Sequence, residues 1–131
     1  MDLTIVVLKD IQLHSAKDTM TNQQVSIVHG ASELEDKAFS PNPIRIKIGD
    51  TVTWTNNDDT PHVVTSGTGG NDPNLGKDFY SSPDLRILIA PRQTFSHKFD
   101  TAGEFPYFCQ LHPAMVGDVS NEWRSNYFSA N

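Results

Sequence analysis

The sequence predicts an all-β domain, and three observations lead there. Helical periodicity is hard to find along the chain. Short runs of β-branched and aromatic residues recur, and turn-forming residues punctuate the intervals between them. About seven short strands set between such turns indicate a β-sandwich or a barrel.

The strand candidates follow in order. Residues 4–8 (TIVVL) and 25–28 (VSIV) are the first two. Residues 44–57 (IRIKIGDTVTWTNN) alternate apolar with polar on both sides of a Gly-Asp pair, which predicts a hairpin or a bulged strand. Residues 62–66 (HVVTS), 85–90 (LRILIA), 94–100 (TFSHKFD) and 105–109 (FPYFC) complete the set. The breakers SPNP, GTGGNDPNLG, APRQ and TAGE separate them, and the glycine-rich stretch 67–78 predicts an exposed loop. One face of these strands supplies the expected core: Ile44, Ile46, Ile48, Val52, Trp54, Val64, Ile87, Ile89, Phe95, Phe99, Phe105 and Tyr107. Residues 1–24 and 121–131 fall outside the pattern, so the domain is expected over 25–120 with an extension at each end.

Composition narrows the function. A chain of 131 residues with 37% hydrophobic and 20% charged residues is the size and balance of one globular domain. A net charge of −6 with no basic run argues against nucleic acid as a partner. No apolar run approaches the roughly 20 residues needed to span a bilayer. The opening MDLTIVVLKD has an acidic residue before its short apolar stretch, which does not suit a signal peptide. A cytoplasmic protein, or a mature form with a start Met added, is the expectation from that alone.

The chemistry concentrates in residues 109–115, CQLHPAM. This stretch holds the chain's one cysteine, with His112 three residues on and Met115 three beyond. A thiolate, an imidazole and a thioether are donors that copper prefers. A second imidazole is available at His62, which opens a strand directly after a turn. Two His and one Cys in a trigonal plane with a weak, distant Met sulfur are the pattern of an electron-transfer copper site. Each residue is weak evidence alone, since a lone buried Cys is ordinarily a small hydrophobe.

These residues also carry a resemblance. The stretches FSPNPIRIKIGDTVTWTNNDDTPHVVTSG and TFSHKFDTAGEFPYFCQLHPAMVG resemble the plastocyanin/amicyanin-type cupredoxins over roughly residues 25 to 119. The resemblance implies an eight-stranded Greek-key β-sandwich with one mononuclear type 1 copper near one end. It assigns His62 as the upstream ligand, Cys109 as the thiolate, His112 as the second imidazole and Met115 as the axial thioether. The spacing C-x2-H-x2-M is similar to the short amicyanin loop. A single cysteine excludes a dinuclear purple-copper site, which needs two. The family commonly has Asn after the first ligand, tying the two ligand loops together. Here Val63 follows His62, so that tie is missing. Pro61 and Pro113 remove backbone N–H groups beside two ligands, which predicts few donors to the thiolate sulfur.

The implied function is single-electron transfer to a redox protein that docks on the edge of His112, where Leu111, Pro113 and Ala114 form an apolar patch. A second expectation comes from the run CQLHP, which is partly similar to the ligand loop of nitrosocyanin. There the axial position is open to water or NO, and the chemistry would be oxidation of NO to nitrite. The resemblance is incomplete, because nitrosocyanin has a Glu upstream ligand and a further His, and no His follows residue 112. Copper storage and a structural zinc site fit a rigid cupredoxin frame less well. The resemblance also implies export to the periplasm or the outer face of the cytoplasmic membrane, the signal sequence having been trimmed. His14, His29 and His97 lack partners at metal spacing. Asp58 and Asp59 read as a solvated turn, and Ser81, Ser82 and Asp84 form no triad. Trp123 and Tyr127 have no assigned role.

Overall fold

Strict alternation decides the central strand. In residues 51–56, Val52, Trp54 and Asn56 are buried while the intervening threonines are half-exposed, as expected for a strand with one face on a core. The computed structural model describes residues 22–121, and these form eight strands. They are β1 (Asn22–Ile27), β2 (Phe39–Ser40), β3 (Ile44–Ile46), β4 (Thr51–Asn56), β5 (Thr65–Ser66), β6 (Thr94–Lys98), β7 (Gly103–Cys109) and β8 (His112–Asn121). Two short 3-10 turns, Ala31–Glu33 and Glu35–Lys37, lie between β1 and β2. One sheet has the order β2-β1-β4-β6 and the other β3-β8-β7-β5. β1 runs parallel to β4 and β3 parallel to β8, and every other neighbour is antiparallel. The all-β sandwich read from the sequence is the architecture observed.

The core lies between the sheets. Val25, Ile27, Val52 and Trp54 come from one side, and Tyr107, Cys109, Met115 and Val119 from the other. Trp54 is the hub, with the rings of Phe79, Phe95 and Tyr107 centred 5.5, 5.7 and 5.2 Å away. Tyr107 in turn meets Phe39 edge-on at 4.7 Å. Tilted and edge-on contacts of this kind add to the stabilisation from burial itself.

Several local expectations give way to partners that are distant in sequence. Residues 44–57 do not form a hairpin or one bulged strand: β3 pairs with β8 in one sheet, while β4 pairs with β1 and β6 in the other. The turn between them explains the crossing. Gly49 takes φ +96°, a conformation open mainly to glycine, and the Asp50 carboxylate accepts the Lys47 N–H at 3.0 Å. Residues 85–90 are not a strand either. Leu85 takes φ +59° and donates its N–H to the Ser82 carbonyl, and the Arg86 N–H goes to the Asp84 side chain. Those local bonds occupy the backbone, so Ile87 is 76% exposed and only Ile89 forms a bridge, to His62. Ile48 is half-buried, and Phe95 and Phe105 pack at the core's margin. Conversely, β8 continues from His112 to Asn121, a run whose Pro, Gly and Asp weaken any strand signal. The candidate strand 4–8, His14, Trp123 and Tyr127 lie outside the described residues.

Two features of the β7–β8 pair yield measurable consequences. Gly117 stands opposite Tyr107, and a Cβ at Gly117 would overlap the tyrosine ring. Gly117→Ala is therefore expected to destabilise the fold by about 2 kcal/mol, the scale of overpacking, in urea unfolding. On the outer face of the same pair, Glu104 opposes Ser120 and Pro106 opposes Asp118, which makes Glu104 and Asp118 diagonal neighbours. The Ser120 hydroxyl donates to Glu104 at 2.8 Å. Burial, then the hydrogen bond and charge of Glu104, push the Asp118 carboxyl up to about 7. The folded chain thus keeps a proton that the unfolded chain has lost once pH exceeds the ordinary Asp value, so this group's contribution to stability falls as pH rises towards 7. Asp118→Asn is expected to raise the melting temperature at about pH 8 relative to the parent and to flatten its decline above about pH 5.

Candidate metal centre

Cys109 and His112 face each other across the end of the β7–β8 hairpin, joined by a two-residue turn of Gln110 and Leu111. The hairpin fixes both side chains from one short loop. His62 arrives from the other side. It exchanges two backbone hydrogen bonds with Ile89, at 3.1 and 2.9 Å, before the chain enters β5. Asn56, wholly buried at the end of β4, shapes the approach. Its side-chain amide donates to the carbonyls of Thr60 and Ile89, both at 2.9 Å, and its carbonyl accepts the Asp58 N–H at 2.9 Å.

The outcome is a triad of donors. Cys109 Sγ lies 3.8 Å from His62 Nδ1 and 3.9 Å from His112 Nδ1, and the three ligand atoms all fall within 4.8 Å of one another. A metal bonded to sulfur at about 2.3 Å and to nitrogen at about 2.0 Å sets those two atoms about 3.7 Å apart at a trigonal angle of about 120°. The observed spacings match that geometry, and the donor set of one thiolate and two imidazoles matches copper. Cys109 and His62 are fully buried and His112 is half-buried. Met115, on β8, is fully buried in the same core as Cys109.

The surroundings tune these groups. His62 Nε2 lies 2.7 Å from Asp58 Oδ2. An ionised carboxylate can only accept, so Nε2 carries a proton and Nδ1 is the nitrogen that faces Cys109. Burial alone would raise the Cys109 pKa. Hydrogen bonds from His62, the Val63 N–H, His112 and the Leu111 N–H outweigh it and bring the thiol down to about 7. Burial likewise opposes a charged His62, but its contacts with Cys109 and Asp58 leave its pKa raised. The Val63 N–H approaches Sγ at 3.4 Å, so the thiolate keeps a backbone donor despite the neighbouring prolines.

The sequence reading needs one correction and one addition. Asp58 is not part of a solvated turn: it is 5% exposed and hydrogen-bonded to His62, whereas Asp59 is exposed as expected. Its i to i+4 spacing from His62 was the available signal, but burial was not visible. The addition concerns the missing asparagine tie. The Thr65 hydroxyl reaches the Gln110 side-chain carbonyl at 3.3 Å, a long contact that spans the same two loops. His29 is exposed, and His97 lies on β6 against Phe79 and Phe99, centred 5.2 and 4.8 Å away.

Sequence comparison decides the family. The profile of copper-binding proteins of the plastocyanin/azurin family matches residues 14–122. The chain belongs to the plastocyanin/azurin family. Among similar cupredoxins, the chloroplastic plastocyanin of Tetradesmus obliquus is 42% identical over 83 residues, 62% of this chain and 56% of that protein. Amicyanin-alpha of Methylorubrum extorquens is 41% identical over 81 residues, 62% of this chain and 61% of the relative. The chain therefore spans little more than half the length of these two relatives. Among solved structures, a purple cupredoxin from Nitrosopumilus maritimus superposes with a TM-score of 0.60 at 30% identity, covering 76% of this chain and 99% of that one. As a copper-binding cupredoxin, the chain brings His62, Cys109 and His112 together where they can hold the metal.

Asn56 offers a test of how this loop is held. Asn56→Ala removes three hydrogen bonds, two of them buried, and leaves the Asp58 N–H without its acceptor. It is expected to cost about 2–4 kcal/mol in chemical denaturation and to weaken copper uptake measured by titration.

Proposed function

We propose that the chain is a mononuclear type 1 copper protein that carries single electrons, in which the imidazoles of His62 and His112, the thiolate of Cys109 and the thioether of Met115 would hold the metal. The observation that carries this reading is the convergence of one buried sulfur and two Nδ1 atoms at trigonal spacing. When bound, copper supplies one-electron exchange between its cuprous and cupric states. The chain's own contribution is to keep the ligands still. Cys109 and His112 are fixed by a two-residue turn and His62 by its bridge to Ile89, so neither state rearranges the frame. Burial of Cys109 and His62 excludes water that would otherwise reorganise at each transfer.

The exit route is the His112 edge. His112 is half-buried, Leu111 is 39% exposed, and Pro113 and Ala114 are exposed. A small apolar rim around a ligand suits brief docking with a redox protein. No helix among the described residues is long and apolar enough to cross a membrane. The reading places the protein outside the cytoplasmic membrane, in the periplasm or on the membrane's outer face, where such carriers meet partners.

The alternative, oxidation of NO, requires an axial position open to a small molecule. The balanced reaction takes NO and water to nitrous acid, a proton and one electron. The carrier instead requires Met115, fully buried in the same core as Cys109, to close that position. Visible and EPR spectra of the Cu(II)-loaded protein, of Met115→Ala and of the parent with NO separate the two. The expected result is an intense thiolate-to-copper band that shifts in Met115→Ala and does not respond to NO. A spectrum indifferent to Met115→Ala and bleached by NO, with nitrite formed, would overturn the carrier.

A further inference from the structure

We infer that Asp58 is a positioning residue of the copper centre, whose buried negative charge holds His62 in its ligating tautomer and favours the cupric over the cuprous state. This rests on the copper assignment proposed above and adds to it the residue that sets the balance between the two states.

Asp58 is immobilised from three directions. Oδ2 takes the His62 Nε2–H at 2.7 Å and the Thr60 hydroxyl at 3.2 Å, and Oδ1 takes the Gly30 N–H at 2.9 Å. Its backbone is held as well, the N–H by Asn56 and the carbonyl by Arg92 Nη1, both at 2.9 Å. The carboxylate therefore cannot turn away from the histidine. With the opposite tautomer, two lone pairs would face each other at hydrogen-bond distance, a repulsion that a buried site cannot relieve with water.

The charge matters because of where it sits. Asp58 is 5% exposed and lies one hydrogen bond from a ligand ring, so solvent screens it little. A fixed anion there stabilises the more highly charged metal state. Asp59 provides the contrast. Its side chain is 65% exposed and paired with Arg92 at 3.1 Å, so its charge is screened, while His29 lies near both carboxylates, 3.5 Å from Asp59 and 4.0 Å from Asp58. The two aspartates have the same formal charge and are adjacent in sequence, yet only Asp58 is coupled to the site.

Cyclic voltammetry of the copper-loaded parent, Asp58→Asn and Asp59→Asn tests this, with Cu(II) and Cu(I) affinities measured alongside. Asp58→Asn keeps an acceptor for Nε2–H but removes the charge. It is expected to weaken Cu(II) relative to Cu(I) binding about tenfold, within the range for groups that orient a ligand. For a one-electron couple this raises the potential by about 59 mV. Asp59→Asn is expected to move the ratio less than threefold. Equal shifts in the two variants, or no shift in Asp58→Asn, would overturn the role of Asp58 while leaving the carrier reading intact. Failure of the parent to bind copper at His62, Cys109 and His112 would overturn both. If Asp58→Asn does not fold, the ring nitrogens of the Cu(I)-loaded parent decide by NMR. A protected Nε2–H with Nδ1 bound to metal supports the inference, and a freely exchanging Nε2–H or ligation through Nε2 refutes it.

Discussion

The approach of Cys109 Sγ to two imidazole nitrogens is the interaction on which the rest of the structure depends. Three groups with lone pairs are pressed together where water is largely excluded, an arrangement unfavourable unless a cation or shared protons bind them. Holding it requires backbone that cannot relax. The hairpin end, the His62–Ile89 bridge and the Asn56 amide supply that stiffness, each with short hydrogen bonds to main chain. The sandwich serves this purpose: one sheet carries Cys109 and His112, and the end of a strand in the other sheet, at Asn56, launches the loop that delivers His62.

The site is also asymmetric. His62 is sealed from solvent and anchored by a carboxylate, while His112 lies at an edge with apolar neighbours. The buried side fixes geometry and charge; in the proposed carrier, the exposed side is where an electron would pass to a partner. The two imidazoles are alike in chemistry but differ in environment, and in the proposed carrier that difference would give the centre a direction.

Much of this is legible in the amino-acid sequence. Alternation in residues 51–56 marked the central strand, because burying one face of a strand enforces a period of two. The spacing of Cys109, His112 and Met115 marked the ligand loop, because a short turn brings nearby residues together without help from the rest of the fold. What stayed hidden depended on distant partners. The turn at Gly49 and Asp50 fits a hairpin equally well until β8 and β1 claim the two strands on either side. Residues 85–90 look apolar enough for a strand, yet the Ser82 carbonyl and the Asp84 side chain turn the backbone, and Ile87 points to solvent. Asp58 looks like any turn aspartate until Gly30 and His62 close around it. Residue types announce chemistry, but burial of a polar group depends on which segments pack over it.

The central claim, that copper is bound by one sulfur and two imidazole nitrogens from His62, Cys109 and His112, is tested most directly by X-ray absorption at the copper edge of the loaded protein. One short sulfur scatterer with two imidazole shells is the predicted result. A first shell of nitrogen and oxygen alone, with no sulfur, would contradict it.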